Sequence, residues 1–179
     1  MQNLCSVGKR VPKLDAVDKA TGWIKYIQDL KVPGMLYGKI LYSKYAHAKI
    51  VKIDTAKARE LSGVLAVLTG EDIPDIRMGV YKDNSPLKKG KVCSFRDEVA
   101  AVAATTPEIA EEALKLIAVT YEALPAVFDP EEAMKEGAPL VHEAHKTNLL
   151  KMPWKIHYGD VDTAKKEAAF VVEDRFSTT

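Results

Sequence analysis

The chain has 179 residues, 47% of them hydrophobic and 28% charged, with 26 basic and 25 acidic side chains giving a net charge of +1. That length can bury the core of one domain, or of one domain with an extension, and a balance so near neutrality gives no case for binding nucleic acid or a membrane surface through bulk charge. No apolar run approaches the roughly 20 residues that cross a bilayer, and the first fifteen, MQNLCSVGKRVPKLD, lack an apolar signal centre, so the expectation is a cytoplasmic protein with no membrane partner. Cys5 and Cys93 are far apart in sequence, and two isolated cysteines without a secretion signal are expected to be free thiols.

Residues 1–21 are polar, carry Gly8 and Pro12 and have no period, which predicts an extended lead-in arm. Residues 23–27 (WIKYI) fit a short strand or one loose turn, and Pro33-Gly34 is a turn pair. Residues 35–42 (MLYGKILY) read as a strand, with Gly38 marking a bulge or a close approach. A second strand is predicted over 48–53, followed by Asp54 as an N-cap, a short helix over 55–61, Gly63 as its stop, and an apolar strand over 64–68. Residues 70–91 hold three glycines, two prolines and a basic cluster. A connection that long is usually functional or mobile, and it is expected to pack on a neighbour or stay mobile.

The strongest pattern lies between 95 and 125. Residues 99–104 (VAAVAA) are nearly all apolar, as suits a strand buried on both faces. Thr106 is a good N-cap, Pro107 fits the first helical position, and Glu108, Glu111 and Glu112 lie near the positive end of a helix. Ile109, Ala113, Leu114 and Ile117 share one helix face. Ile117, Val119 and Tyr121 then alternate with small or polar residues until Pro125. A strand, helix and strand in one sheet implies parallel strands with a right-handed crossover. Residues 48–69 repeat the same logic, so the predicted fold class is α+β: one mixed sheet built from two strand–helix–strand units, with helices on one side. Beyond 125 the pattern weakens. Asp129 and Pro130 open a short helix, Gly137 and Pro139 break it, a turn falls at 158–160, a short helix at 161–167, and a terminal strand at 169–176. Nothing follows that strand to pair with it, so the chain is expected to be cut from something longer.

Few residues suggest chemistry. His142, Glu143 and His145 resemble a sparse metal cluster, but a helical pair of ligands would be four apart and His157 is a vague third; solvated loop histidines are the default. Arg96, Asp97 and Glu98 precede the apolar strand and read as a loop edge or a partner contact. Cys93 has no nearby histidine in sequence, so an inert thiol is expected rather than a nucleophile, and a hydrolase using Cys93 or His142 is disfavoured. Lys88, Lys89 and Lys91 lack interleaved aromatics, which argues against a nucleic-acid patch. There is no Gly-rich phosphate loop and no CxxC pair. The residues therefore nominate no catalytic, cofactor-binding or metal site. A single module of this kind is also expected to have too little concave, polar lining for a buried pocket of drug-ligand size.

Several runs occur together in a recognisable order: DKATG at 18–22, PGMLYG at 33–38, SKYAHAKI at 43–50, IDT at 53–55, GVLAVLT at 63–69 and DIP at 72–74. Residues 99–104, then 110–122 and Leu124-Pro125, complete the series. The chain resembles the N-terminal a/b hammerhead domain of the molybdenum-binding large subunit in the xanthine dehydrogenase and aldehyde oxidase family, over roughly residues 7–135. Asn148-Leu149 and residues 159–162 (GDVD) are similar to that family's join to its molybdopterin-binding domain. The resemblance implies a lead-in arm over 1–21, a hammerhead domain over 22–135, and a linker with the start of the molybdopterin-binding domain over 136–179. Residues 95–104 depart from the family's usual Gly-Gln-Pro-Val-Ala-type run and are more similar to the 4-hydroxybenzoyl-CoA reductase branch, which implies an aryl-CoA thioester among the aromatic, heterocyclic or aldehyde substrates of the family.

The resemblance also implies a parent oxidoreductase with a molybdenum–molybdopterin cofactor, [2Fe-2S] clusters and often FAD on partner domains or subunits. The family's molybdopterin loops and catalytic glutamate lie C-terminal to this domain, so no site residue carries over. The implied role is packing against the rest of the molybdenum subunit and its iron–sulfur partner. A stand-alone binding or assembly module on the same fold is the alternative. Apolar patches left bare would make the isolated chain self-associate.

Overall fold

A computed structural model describes residues 7–149 and 155–176, which form two compact units divided after Ala126. The Cys5 expectation lies outside the described residues.

The first unit holds α1 (Ala16–Thr21), β1 (Tyr37–Tyr42), β2 (Ala48–Asp54), α2 (Ala56–Glu60), β3 (Val64–Thr69), β4 (Lys91–Val92), β5 (Glu98–Ala104), α3 (Pro107–Leu116) and β6 (Ala118–Ala123). The strands form two three-stranded sheets, β1-β5-β3 and β4-β2-β6, and every pairing is antiparallel. The α+β class holds, but the single mixed sheet with parallel crossovers does not. Each strand–helix–strand unit instead places one strand in each sheet. The first strand of one unit pairs with the last strand of the other, β2 with β6 and β5 with β3. Two constraints impose this. Both edges of β5 are already taken, by β1 and β3, so β6 cannot lie beside it. The nine residues between Asp54 and Val64 are also fewer than the dozen or so that a parallel crossover requires.

Helix α3 follows its sequence signals. Thr106 Oγ1 accepts the Ile109 N–H at 3.3 Å, and Pro107 occupies the first turn. Ala110 and Ala113 are fully buried against Ala100, Val102 and Ala104 of β5, with Val67 and Ala58 completing the cluster. Small residues on both surfaces let the helix approach the sheet closely. Beside it, Asp54 Oδ1 accepts the Ala56 N–H at 3.1 Å at the start of α2. That bond, with Lys52 beside it, holds the Asp54 carboxyl below the usual range.

The other sheet behaves differently. Ile50, Ile53, Val119 and Tyr121 pack with Ala48, Val92 and Val99 on its inner face. Its outer face is polar, and the register partners Lys49 and Glu122 form an ion pair at 3.1 Å.

The lead-in arm is not wholly extended. α1 forms where Asp15 and Lys19 pair at 2.5 Å one turn apart, and it ends at Gly22 in the left-handed conformation (φ 74°). Residues 23–27 form no strand; a 3-10 turn follows at Ile27–Asp29, with Asp29 Oδ2 accepting the Tyr26 N–H at 3.0 Å. The connection over 70–91 is tied to its own unit at its far end. Leu87 is buried, and the Lys88 N–H donates to the Glu98 carbonyl at 2.7 Å.

The second unit contains α4 (Pro130–Ala133), capped by Asp129, and α5 (Val161–Glu167), capped by Asp160. Asn148 organises its first half. The side-chain amide donates to the Ala133 and Pro139 carbonyls, each at 2.9 Å, and accepts the Val141 N–H at 2.9 Å. Residues 169–176 form no strand, because no ladder partner lies beside them among the described residues. No helix among the described residues is long and apolar enough to cross a membrane.

Gly70 is the tightest backbone approach in the first unit. A Cβ there would sit 2.6 Å from the Lys88 carbonyl oxygen and 2.9 Å from its carbon, and backbone cannot give way as a side-chain tip can. Gly70→Ala should cost about 1–3 kcal/mol and lower the melting temperature by roughly 3–10 °C, measured by thermal unfolding followed by circular dichroism.

Candidate functional site

A cleft of about 380 Å³ opens in the first unit between β1, the C-terminal end of α3 and β6. Leu41, Leu114, Ile117 and Val119 form its apolar floor, while Tyr42, Tyr45 and Tyr121 with Lys44 and Lys115 complete the lining. This volume lies within the range of small-molecule sites, although the concavity is a half-open cleft and not a buried pocket. The cleft arises because α3 covers the β1-β5-β3 sheet while β6 turns away into the other sheet, leaving a gap at the end of the helix. Tyr45 and Tyr121 form one wall, ring centroids 5.0 Å apart and planes tilted 45°. Burial pushes the Tyr121 phenol up, partly offset by the Ser43 hydroxyl beside it. Ser43 Oγ donates to the Tyr45 carbonyl at 2.8 Å and accepts the Tyr45 N–H at 3.0 Å, which holds the turn after β1.

His47 sits just beyond that turn, buried, with Nδ1 2.5 Å from the Pro125 carbonyl oxygen. Nδ1–H donates there, and Nε2 is buried with no hydrogen-bond partner among the described residues. The sequence shows a histidine here but not its depth, which comes from β2 pairing with β6 and bringing Pro125 back onto it.

The residues singled out in sequence are distributed as follows. His142 and His145 do meet, with rings edge to face and centroids 6.0 Å apart across the 3-10 turn Glu143–His145. His157 lies in irregular chain, and no three His, Cys, Asp or Glu side chains converge among the described residues. Cys93 is half-buried. The lysine cluster is dispersed: Lys89 pairs with Glu71 at 2.7 Å, and Lys91 lies in β4.

Lys88 and Asp97 are the unexpected pair. Their side chains are only 12% and 14% exposed and meet at 3.5 Å. Asp97 Oδ2 also accepts the Cys93 N–H at 2.6 Å, and Lys88 donates to the Asn84 side chain. The charged trio 96–98 therefore does more than mark a loop edge: Asp97 latches residues 84–93 to the start of β5. Arg96 is exposed, and Glu98 begins the strand. The only sequence signal was a lysine and an aspartate flanking a turn. Removing one partner of a nearly buried pair strands the other, so Asp97→Ala should destabilise the chain by about 2–4 kcal/mol. Urea unfolding monitored by tryptophan fluorescence measures this, and Lys49→Ala at the exposed sheet pair serves as the near-neutral reference.

The chain matches the family model described as aldehyde oxidase and xanthine dehydrogenase, a/b hammerhead domain, over residues 21–125. It is 40% identical over 174 residues to the nicotinate dehydrogenase large molybdopterin subunit of Eubacterium barkeri, covering 96% of this chain and 40% of that one. It is 33% identical over 178 residues to the xanthine dehydrogenase molybdenum-binding subunit of Escherichia coli O157:H7, covering 93% of this chain and 23% of the relative. Among solved structures, reconstituted CO dehydrogenase from Oligotropha carboxidovorans matches 74% of this chain and 17% of its own, with a TM-score of 0.69 and 38% identity. Quinoline 2-oxidoreductase from Pseudomonas putida 86 matches 76% of this chain and 19% of its own, with a TM-score of 0.67 and 35% identity. The chain thus spans about a fifth to two fifths of the length of the relatives it matches. With more than half of its residues inside the matched domain, this chain belongs to the aldehyde oxidase and xanthine dehydrogenase a/b hammerhead family.

Proposed function

We propose that this chain is the structural N-terminal domain of the molybdenum-binding large subunit of an oxidoreductase acting on an aromatic, heterocyclic or aldehyde substrate. Molybdopterin and the catalytic residues belong to other parts of that subunit. The iron–sulfur clusters, and a flavin where present, belong to partner domains or subunits. Residues after about 135 begin the join to the molybdopterin-binding part. The match to the nicotinate dehydrogenase large molybdopterin subunit supports this, because it runs well past the hammerhead domain, over 96% of the chain.

One observation carries the structural role. The β1-β5-β3 sheet is largely apolar on both faces, Lys39 at the edge of the helix-covered face pairing with Glu111 of α3. α2 and α3 cover the face holding Ala100, Val102 and Ala104. On the opposite face, the register aligns Gly38 and Ala66 with Ala103, and Ile40 and Leu68 with Ala101. This face has no charged residue at those positions, and Ile40 and Leu68 are 40% and 42% exposed. An antiparallel sheet that ends in solvent normally shows polar residues on its open face, as Lys49 and Glu122 do on the other sheet. The apolar face fits an interface in which the remainder of the large subunit supplies the missing layer.

Ala103→Arg would place a charge in that interface without touching the helix-covered core. When the chain is co-expressed with the remainder of the large subunit, this variant should weaken their association at least about 100-fold, or roughly 3 kcal/mol. Thr120→Arg on the polar face of the other sheet should leave it unchanged. Pull-down and calorimetry read the outcome, and equal assembly by both variants would reject the role.

A further inference from the structure

We propose that the cleft between β1, the C-terminal end of α3 and β6 is a binding site for a small organic monocarboxylate carrying an aromatic ring. The site lies on the helix-covered side of the β1-β5-β3 sheet and stands independently of the docking face.

The shape and lining set the ligand class. A cleft of about 380 Å³ is at the lower end of the range for small-molecule sites, enough for a single ring with short substituents. Leu41, Leu114, Ile117 and Val119 offer an apolar bed, and the tilted Tyr45–Tyr121 pair offers ring faces and edges against which a flat aromatic packs favourably. The charge of the lining is one-sided. Lys44 and Lys115 both border the cleft, and no Asp or Glu lines it. Neither lysine forms a salt bridge among the described residues. Glu111, one turn before Lys115, makes its ion pair with Lys39 at 2.8 Å and feels Lys115 only as a weaker neighbouring charge. Two ammonium groups over an apolar bed select an anion with a hydrophobic body. The negative end of the α3 dipole also borders the cleft and opposes anions in proportion to their charge, so the two lysines offset it more readily for a single carboxylate than for a doubly charged phosphate.

The test is a titration of the 179-residue chain with benzoate and, separately, with benzylamine, followed by methyl NMR of isoleucine, leucine and valine. Benzoate should give saturable shifts confined to Leu41, Leu114, Ile117 and Val119, and benzylamine should not reproduce them. Lys44 and Lys115 are both exposed, so the double variant Lys44→Ala/Lys115→Ala should fold normally, as its unperturbed remaining spectrum would verify. It should bind benzoate at least about fivefold more weakly, since exposed ion pairs contribute up to about 1 kcal/mol. Shifts that are absent, unsaturable or spread over the surface would overturn the proposal. So would equal binding of benzylamine, or unchanged benzoate affinity in the double variant.

Discussion

The strand Glu98–Ala104 sets the conditions that the rest of the first unit meets. Its sequence is almost all alanine and valine, it lies at the centre of its sheet, and both of its neighbours run antiparallel to it. Side chains this small leave little to bury per residue, so they are useful only where other elements come close on either side. α3 does so on one face with Ala110 and Ala113. The other face shows Ala101 and Ala103 flanked by Gly38, Ile40, Ala66 and Leu68. Exposed, this surface would be a liability; covered, it is the kind of close-fitting layer that joins two parts of one subunit.

The swap of strands between the two sheets follows from the same crowding. With β5 paired on both edges, the chain leaving α3 cannot return beside it and enters the other sheet, where it meets β2. That pairing brings Pro125 onto the buried His47 and aligns Lys49 with Glu122. It also opens the cleft, since α3 ends where the two sheets diverge. The Lys88–Asp97 latch closes the other side by fixing the long connection to the first residues of β5. The sheet pairing therefore decides where the buried polar groups and the concave surface lie.

Local structure was legible in the residues where the signal was local. Thr106 and Pro107 marked the start of α3, Asp129 and Pro130 that of α4, alternation marked β6, and β1 and β2 were placed within a residue or two. Pairing direction was not legible, because a strand–helix–strand pattern looks the same whether its strands share a sheet or part between two. The short α1 escaped notice, since its signals, Asp15, Lys19 and Gly22, are scattered through a polar stretch without an apolar face. The two-sided apolarity of residues 99–104 was visible, but only the register shows which neighbours extend it into a surface. The cleft was not visible at all: its lining comes from β1, the turn after it, α3 and β6, which are brought together by tertiary structure alone.

If the chain serves as a packing domain, the outer face of the β1-β5-β3 sheet must be covered by the remainder of the large subunit. Hydroxyl-radical footprinting with mass spectrometry, on the isolated chain and on the assembled large subunit, reads the accessibility of that face residue by residue. Ile40 and Leu68 should be strongly oxidised in isolation and protected several-fold on assembly, while the polar outer face of the other sheet stays accessible. Equal oxidation of Ile40 and Leu68 in both states would contradict the packing role.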